Sequence, residues 1–102
     1  MNLKEGMYVR TDKGIYKIED ISTDGKKVFA TAEYKNRTIY TSIRKEKILD
    51  AKDRRTDLIC VGDYVNGEYV DLFDLDYYKN HPEHIKSILI KEQFEKYVQK
   101  VG

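Results

Sequence analysis

The chain has 102 residues and a mass of 12.1 kDa, a length that predicts a single domain without a separate cofactor-binding domain. Nineteen basic and 18 acidic residues leave a net charge of +1, which argues against a general nucleic-acid-binding protein, because such proteins neutralise several phosphates. No apolar run approaches the roughly 20 residues of a membrane-spanning helix, and residues 1–10 lack the apolar core of a signal peptide. The single cysteine, Cys60, permits no intrachain disulfide, so we expect a cytoplasmic protein without membrane association.

Strand-like runs separated by turn signals fill the first 43 residues. Met7–Arg10 and Ile15–Ile18 flank a turn that ends at Gly14, which can adopt a positive φ, so this stretch predicts a hairpin. A second turn follows at Ser22–Gly25, because an Asp-Gly pair is a strong hairpin signal. The next two strands are predicted at Lys27–Tyr34 and Thr38–Ile43.

Alternation in these two predicted strands separates two faces, and both faces carry bulky side chains, as in small barrels whose sheets curl around a core. In the strand at Lys27–Tyr34, one face carries Val28, Ala30 and Ala32, and the other carries Phe29, Thr31 and Glu33. In the strand at Thr38–Ile43, one face carries Ile39, Thr41 and Ile43, and the other carries Thr38, Tyr40 and Ser42.

Residues 44–57 are mostly charged and indicate a helical turn followed by an exposed connection. This segment is predicted to join two sub-structures, at about residues 1–43 and 58–102, within one domain spanning 1–102. In the second sub-structure, Asn66-Gly67 is the strongest hairpin signal of the chain. Val70 to Tyr78 is expected to continue as an acidic strand or loop.

Pro82 interrupts regular structure, because proline lacks an amide donor and biases the residue before it away from helix. Ile85–Ile90 is then a strand candidate, and Glu92–Val101 is predicted to be a helix with apolar residues at helical spacing. The fold class predicted from these elements is mainly β (α+β). We expect a small antiparallel SH3-like barrel or curled sheet with a C-terminal α-helix.

The run Asp-Leu-Ile-Cys-Val-Gly-Asp-Tyr-Val-Asn-Gly at residues 57–67 resembles a run in small prophage and mobile-element proteins of Gram-positive bacteria. Those proteins often end in a strand and a Thr-Lys-Glu-Gln-Phe-like helix start. Here Lys91-Glu92-Gln93-Phe94 follows Ile90, so the usual N-cap hydroxyl is missing. The resemblance covers about residues 57–95, and its Gly-Asp-x-Val element is also similar to the opening strand of SH3-like barrels.

These prophage proteins have no established activity to transfer to this chain. The resemblance implies an accessory protein of a phage or mobile element, acting in the cytoplasm of a bacterial host. Small proteins in that setting are often inhibitors of host defence systems, and anti-CRISPR proteins are among them.

No residue pattern in the sequence predicts catalysis or a cofactor. His81-Pro82-Glu83-His84 offers two imidazoles and a carboxylate, but Pro82 excludes a helical zinc-protease motif, and a solvated loop is the favoured interpretation. The acidic run Asp71–Asp76 lacks the glycine and the distal glutamate of a calcium-binding loop. Cys60 lies between two apolar residues and is predicted to be a buried small hydrophobic residue. We therefore expect no enzyme, no cofactor and no metal site.

Charge is distributed unevenly, and residues 56–78 carry six acidic residues without Lys or Arg. Charge runs often just solvate a surface, but tyrosines inside this one favour a binding role. We hypothesise that this acidic segment docks on a basic surface of a host protein such as a CRISPR nuclease. Its carboxylates would then occupy the positions at which that protein binds the phosphates of nucleic acid. The predicted partner-binding residues are Glu68, Asp71, Asp74, Asp76, Tyr77 and Tyr78.

Residues 1–55 carry 14 basic and 9 acidic residues and support an alternative, a small β-barrel that binds nucleic acid. Tyr34 or Tyr40 would stack on bases. The predicted phosphate contacts are Lys26, Lys27, Lys35, Arg37, Arg44, Lys45, Arg54 and Arg55. A third alternative is a structural or assembly protein of the mobile element that associates through an exposed strand edge.

Overall fold

The structure, a computed structural model, describes residues 2–34 and 36–95, except for the side chain of Tyr34. The chain divides into two compact units. The first comprises Met1–Thr11 and Ile15–Leu58, and the second comprises Asp12–Gly14 and Ile59–Gly102. The longer segment of the second unit begins at Ile59, and the two sub-structures predicted from the sequence stay a prediction.

A five-stranded sheet with the strand order β4-β3-β2-β1-β5 forms the first unit. β3 pairs antiparallel with β2 and with β4, and β1 pairs antiparallel with β5. The strands are β1 (Tyr8–Thr11), β2 (Gly14–Ile21), β3 (Lys27–Tyr34), β4 (Arg37–Arg44) and β5 (Asp50–Lys52). The predicted strands at Lys27–Tyr34 and Thr38–Ile43 are thus confirmed.

One face of this sheet carries the core of the first unit. The buried residues of the core are Val9, Ile18, Val28, Ala30, Ile43 and Ile48. Phe29 and Tyr40 lie on the opposite face and are exposed. The predicted alternation is therefore confirmed in β3 and β4, where Val28 pairs with Ile43 on the core side.

The predicted turn at Ser22–Gly25 is held by side-chain hydrogen bonds and by Gly25, whose φ is 71°. The Ser22 hydroxyl donates to Asp24 Oδ1 at 2.7 Å, and the Lys26 amide donates to the same oxygen at 3.0 Å. These two donors stabilise the carboxylate and hold the pKa of Asp24 below its usual value. The turn therefore helps to fix the register of β3 against β2.

The charged segment 44–57 differs from the predicted exposed connection. It contains the expected helical turn, a 3-10 turn at Lys45–Lys47, but then contributes β5 to the sheet. A second 3-10 turn follows at Arg55–Leu58, and the buried Arg10 Nη1 donates to the Leu58 carbonyl at 2.9 Å. Backbone pairing with β1 explains the strand, because Ala51 is its only apolar residue.

The second unit contains a three-stranded antiparallel sheet in the order β7-β6-β8, with β6 (Tyr64–Val65), β7 (Glu68–Tyr69) and β8 (Ile88–Leu89). The predicted Asn66-Gly67 hairpin is confirmed. Asn66 has a φ of 54° and Gly67 a φ of 82°, the left-handed pair that a two-residue type I′ turn requires. Only Ile88–Leu89 of the predicted strand at 85–90 is paired.

A helix, α1 (Leu72–Asn80), replaces the strand or loop predicted at 70–78, so that prediction is wrong. Asp71 and Asp74 form a capping box that fixes the first turn of the helix. Apolar residues occur on both sides of α1, so no helical period is visible in the sequence. The predicted interruption at Pro82 is confirmed, because α1 ends at Asn80 and a 3-10 turn covers Pro82–His84.

A fully buried carboxylate, that of Asp63, joins two segments of the second unit. Asp63 Oδ2 accepts the Cys60 amide at 2.7 Å, and Oδ1 accepts the Lys91 amide at 2.9 Å. Residues 91–95 are helical, so Asp63 binds the first amide of this helix, where the sequence lacks a local N-cap hydroxyl. Residues 96–101 of the predicted C-terminal helix lie outside the described residues.

The mainly β class is confirmed, with two antiparallel sheets and the short helix α1. Among residues 2–34 and 36–95 the strands do not form a closed barrel, and the SH3-like arrangement stays a prediction. None of the helices in this part of the chain has the length and apolar character needed to cross a membrane.

We expect Asp63→Ala to lower the free energy of unfolding by on the order of 3 kcal/mol, because two amides lose their hydrogen-bond acceptor in a buried site. Urea denaturation followed by circular dichroism measures the change. Asp76→Ala, at an exposed position of α1, is the matched control and should change the free energy by less than about 0.5 kcal/mol. Equal unfolding midpoints for Asp63→Ala and wild type would contradict the assignment.

Candidate functional site

Two of the six predicted partner-binding residues have a structural role at the start of α1. The Asp74 amide donates to Asp71 Oδ1 at 2.9 Å, and the Asp71 amide donates to Asp74 Oδ2 at 3.0 Å. The sequence signal for this helix start was present, because Asp71 and Asp74 have the three-residue spacing of a capping box. Their side chains fix the helix, while their negative charges still lie at the surface.

The outer face of α1, which we define as Leu72, Phe73, Asp76 and Tyr77, carries large apolar side chains in contact with water. Phe73 is 86% exposed, Leu72 is 73% exposed and Tyr77 is 46% exposed. At about 100° per residue, the outer face spans about 140° of the helix. Sequence reasoning missed Leu72 and Phe73, because a strand would have placed these adjacent residues on opposite faces.

The opposite side of α1 is half-buried and includes Asp74, Leu75 and Tyr78. Burial raises the pKa of Tyr78, and the carboxylates of Glu68 and Asp74 raise it further. Glu68 on β7 therefore acts electrostatically on the same surface as α1. Tyr77 is the exposed member of the Tyr77-Tyr78 pair.

A cluster of polar aromatic and acidic groups lies at the C-terminal end of α1. The Tyr77 hydroxyl is 2.5 Å from Nδ1 of His84, and the imidazoles of His81 and His84 stack with centroids 5.3 Å apart. Glu83 Oε1 lies 3.5 Å from His81 Nδ1 and 3.7 Å from His84 Nε2. A hydrogen bond from its own backbone amide and the adjacent His84 hold the pKa of Glu83 below its usual value.

The structure brings four of the eight predicted nucleic-acid-binding residues together. They line one concavity, which the acidic residues Asp24 and Glu46 line as well; the four are Lys26, Lys27, Arg44 and Lys45. Arg37 lies at the other end of the β3–β4 ladder, about 23 Å from Arg44 at the rise of an extended strand.

The remaining members of that predicted set are dispersed or engaged elsewhere. Arg54 is paired with Asp57 at 3.3 Å, and Arg55 is half-buried in the 3-10 turn. Lys35 and the side chain of Tyr34 lie outside the described residues.

An aromatic stripe lies on the outer face of β3 and β4. Tyr40 is 79% exposed and pairs with Thr31, while Phe29 is 43% exposed and pairs with Ser42, so the two rings are diagonal neighbours. The pair Lys27 and Arg44 continues this face toward the basic concavity.

A scan against protein-family models, a search of curated proteins and a search of solved structures each returned no match for this chain. The resemblance of residues 57–95 to prophage and mobile-element proteins therefore stays a prediction.

We expect Asp71→Ala to destabilise α1 by about 1 kcal/mol, because the N-cap acceptor for the Asp74 amide is lost. Asp71→Ser keeps a capping oxygen and should preserve most of the stability. Hydrogen exchange of the α1 amides measures the effect, with Asp76→Ala as the control outside the cap. Equal exchange rates in Asp71→Ala and Asp71→Ser would show that the capping box does not hold the helix.

Proposed function

We propose that this chain is a non-enzymatic protein that binds a protein partner through the outer face of α1. The partner binds the outer face of α1 with a basic surface. The prophage resemblance suggests that this partner is a nucleic-acid-binding protein of host defence, such as a CRISPR nuclease. Binding would then inhibit that protein by occupying its nucleic-acid groove. The observation that carries the proposal is the exposure of Phe73 and Leu72 within an acidic surface.

Apolar burial provides the free energy for such binding. Burying apolar surface contributes about 25 cal/mol per Å², and aromatic side chains are frequent energetic centres of protein interfaces. Phe73 and Leu72 are adjacent on α1 and contribute nothing to the core of their own unit. The residues that the structure describes leave both side chains exposed, so a molecule that covers them would remove both from water.

Negative charge provides the selectivity. Residues 56–78 carry six acidic residues and no basic ones, and four of the six lie on β7, at the N-cap of α1 or in the first five residues of α1. These four are Glu68, Asp71, Asp74 and Asp76. Charges of one sign steer an oppositely charged partner toward the surface and raise the association rate at low salt.

The test is capture of proteins from a lysate of a Gram-positive host by the purified chain, with nuclease treatment and a wash at moderate salt. The affinity of the captured protein is then measured for Phe73→Ser and Asp76→Lys. We expect Phe73→Ser to weaken binding at least tenfold, about 1.4 kcal/mol, and Asp76→Lys to slow association.

Tyr40→Thr is the matched control, because Tyr40 is a similarly exposed aromatic residue on a different element. It should bind the partner as tightly as wild type. A partner whose affinity is unchanged by Phe73→Ser and by Asp76→Lys would contradict the proposal, and so would recovery of nucleic acid alone.

A second candidate function is binding of single-stranded nucleic acid on the outer face of β3 and β4. The observation that favours it is the aromatic stripe of Tyr40 and Phe29 beside the Lys27–Arg44 pair. Bases stack on exposed aromatic rings, and cations contact the phosphates that follow. The Glu19 carboxylate lies on the same face, because it accepts the Thr31 hydroxyl at 3.0 Å. Its negative charge reduces the positive charge of this face.

If this candidate is correct, Tyr40→Thr weakens binding of a fluorescent single-stranded oligonucleotide by about 1–3 kcal/mol at low salt. Arg44→Glu should weaken it as well and reduce its dependence on salt. Fluorescence anisotropy measures both, and Phe73→Ser is the control that should leave the affinity unchanged. Absence of binding at low salt would remove this candidate.

A further inference from the structure

We propose that His81, Glu83 and His84 form a binding site for a divalent transition-metal ion of the Zn²⁺ type, and that Tyr77 positions one of its ligands. Each of the three residues offers one ligand atom, and all three atoms lie within 4.8 Å of one another. The sequence alone favoured a solvated loop here, and the folded backbone brings these side chains together.

The separations of the ligand atoms match the size of such an ion. Zinc binds imidazole nitrogen and carboxylate oxygen at 2.0–2.2 Å, so neighbouring ligand atoms in a tetrahedral site are about 3.3 Å apart. Glu83 Oε1 lies 3.5 Å from His81 Nδ1 and 3.7 Å from His84 Nε2. Because the two imidazole planes are nearly parallel, at least one ring must turn before both nitrogens point at one ion, and both side chains are exposed enough to turn.

The backbone explains why two imidazoles stack at this place. Pro82–His84 forms a 3-10 turn, in which side chains three residues apart eclipse each other. The His84 amide donates to the His81 carbonyl at 3.1 Å, and the two rings are nearly parallel, with 12° between their planes. Pro82 at the start of the turn restricts its φ, so the backbone that carries the two imidazoles is fixed before any ion binds.

Hydrogen bonds outside the ligand set fix the orientation of His84. The Tyr77 hydroxyl is bound to Nδ1, which leaves Nε2 directed toward Glu83. A metal-binding histidine usually donates its second ring N–H to such a partner, which fixes the tautomer. The His84 carbonyl accepts Asn66 Nδ2 at 2.7 Å, so the β6–β7 turn holds the backbone of the site as well.

The donor set selects the class of ion. Two nitrogen ligands and one oxygen ligand suit Zn²⁺, Ni²⁺ or Cu²⁺, whereas Mg²⁺ and Ca²⁺ prefer oxygen ligands throughout. Three protein ligands leave at least one position of a tetrahedral ion open to water. The side chains are about half exposed, so this position is accessible from solvent.

The test uses the untagged full chain titrated with ZnCl₂, because the sequence contains two histidines and both belong to the site. Long-range ¹H–¹⁵N NMR spectra of the imidazoles identify the nitrogens that bind. We expect saturable 1:1 binding with coordination at His84 Nε2 and His81 Nδ1. His84→Ala should weaken the calorimetric Kd for Zn²⁺ at least tenfold, and MgCl₂ should produce no such shifts.

Tyr77→Phe separates positioning from ligation. It removes the hydroxyl that holds His84 but leaves all three ligands, so we expect binding about tenfold weaker with unchanged 1:1 stoichiometry and a mixed His84 tautomer in the metal-free spectrum. Cys60→Ser is the control for the chain's only thiol and should bind Zn²⁺ like wild type.

A wild-type Kd weaker than about 1 mM, or coordination through nitrogens other than those two, would overturn the metal site. Unchanged affinity in His84→Ala, or loss of binding in Cys60→Ser, would overturn it as well. Unchanged affinity and tautomer in Tyr77→Phe would overturn the positioning role of Tyr77. The wild-type titration needs no substituted protein, so a variant that fails to fold does not affect that result.

Discussion

The second unit depends on a carboxylate that is shielded from water. Asp63 accepts the Cys60 amide and the Lys91 amide, and a buried polar group costs free energy unless such hydrogen bonds satisfy it. The backbone of Asp63 also holds Val70 in place, because the Asp63 carbonyl accepts the Val70 amide at 2.9 Å. Val70 directly precedes the cap residue Asp71, so the starting point of α1 is tied to the position of Asp63. The hydrogen bonds of Asp63 therefore fix the point at which α1 begins.

The hairpin of β6 and β7 connects the two proposed sites of this unit. At one end of the hairpin, Val70 leads into α1 and its apolar outer face. At the turn, Asn66 Oδ1 accepts the amides of Lys86 and Ser87 at 2.7 and 3.1 Å, and its Nδ2 binds the His84 carbonyl. A residue selected for its left-handed φ thus also fixes the loop that carries the imidazoles.

Local chemistry made part of this fold readable from the sequence. The β3–β4 hairpin, the Asn66-Gly67 turn and the interruption at Pro82 follow from alternation, left-handed φ and a missing amide, and all three are confirmed. β5 was missed because its pairing with β1 bridges about forty residues, and α1 was missed because a capping box, not a periodic pattern, specifies it. The imidazole pair needed the 3-10 geometry and Tyr77, which spacing alone does not reveal.

α1 is the element whose stability should respond most to a ligand. It has nine residues and none of them is buried, whereas isolated helices shorter than about 12 residues are marginal in water. Its capping box and its half-buried side provide what stability it has within the unit.

A partner that covers Phe73 and Leu72 removes apolar surface from water, and an ion at His84 would reinforce the Tyr77 contact at the other end of the helix. Either ligand binds the ordered helix in preference to the unfolded segment, so mass action converts its binding free energy into helix stability. At either proposed site, binding would thus stabilise a surface helix that has exposed apolar residues and no buried ones.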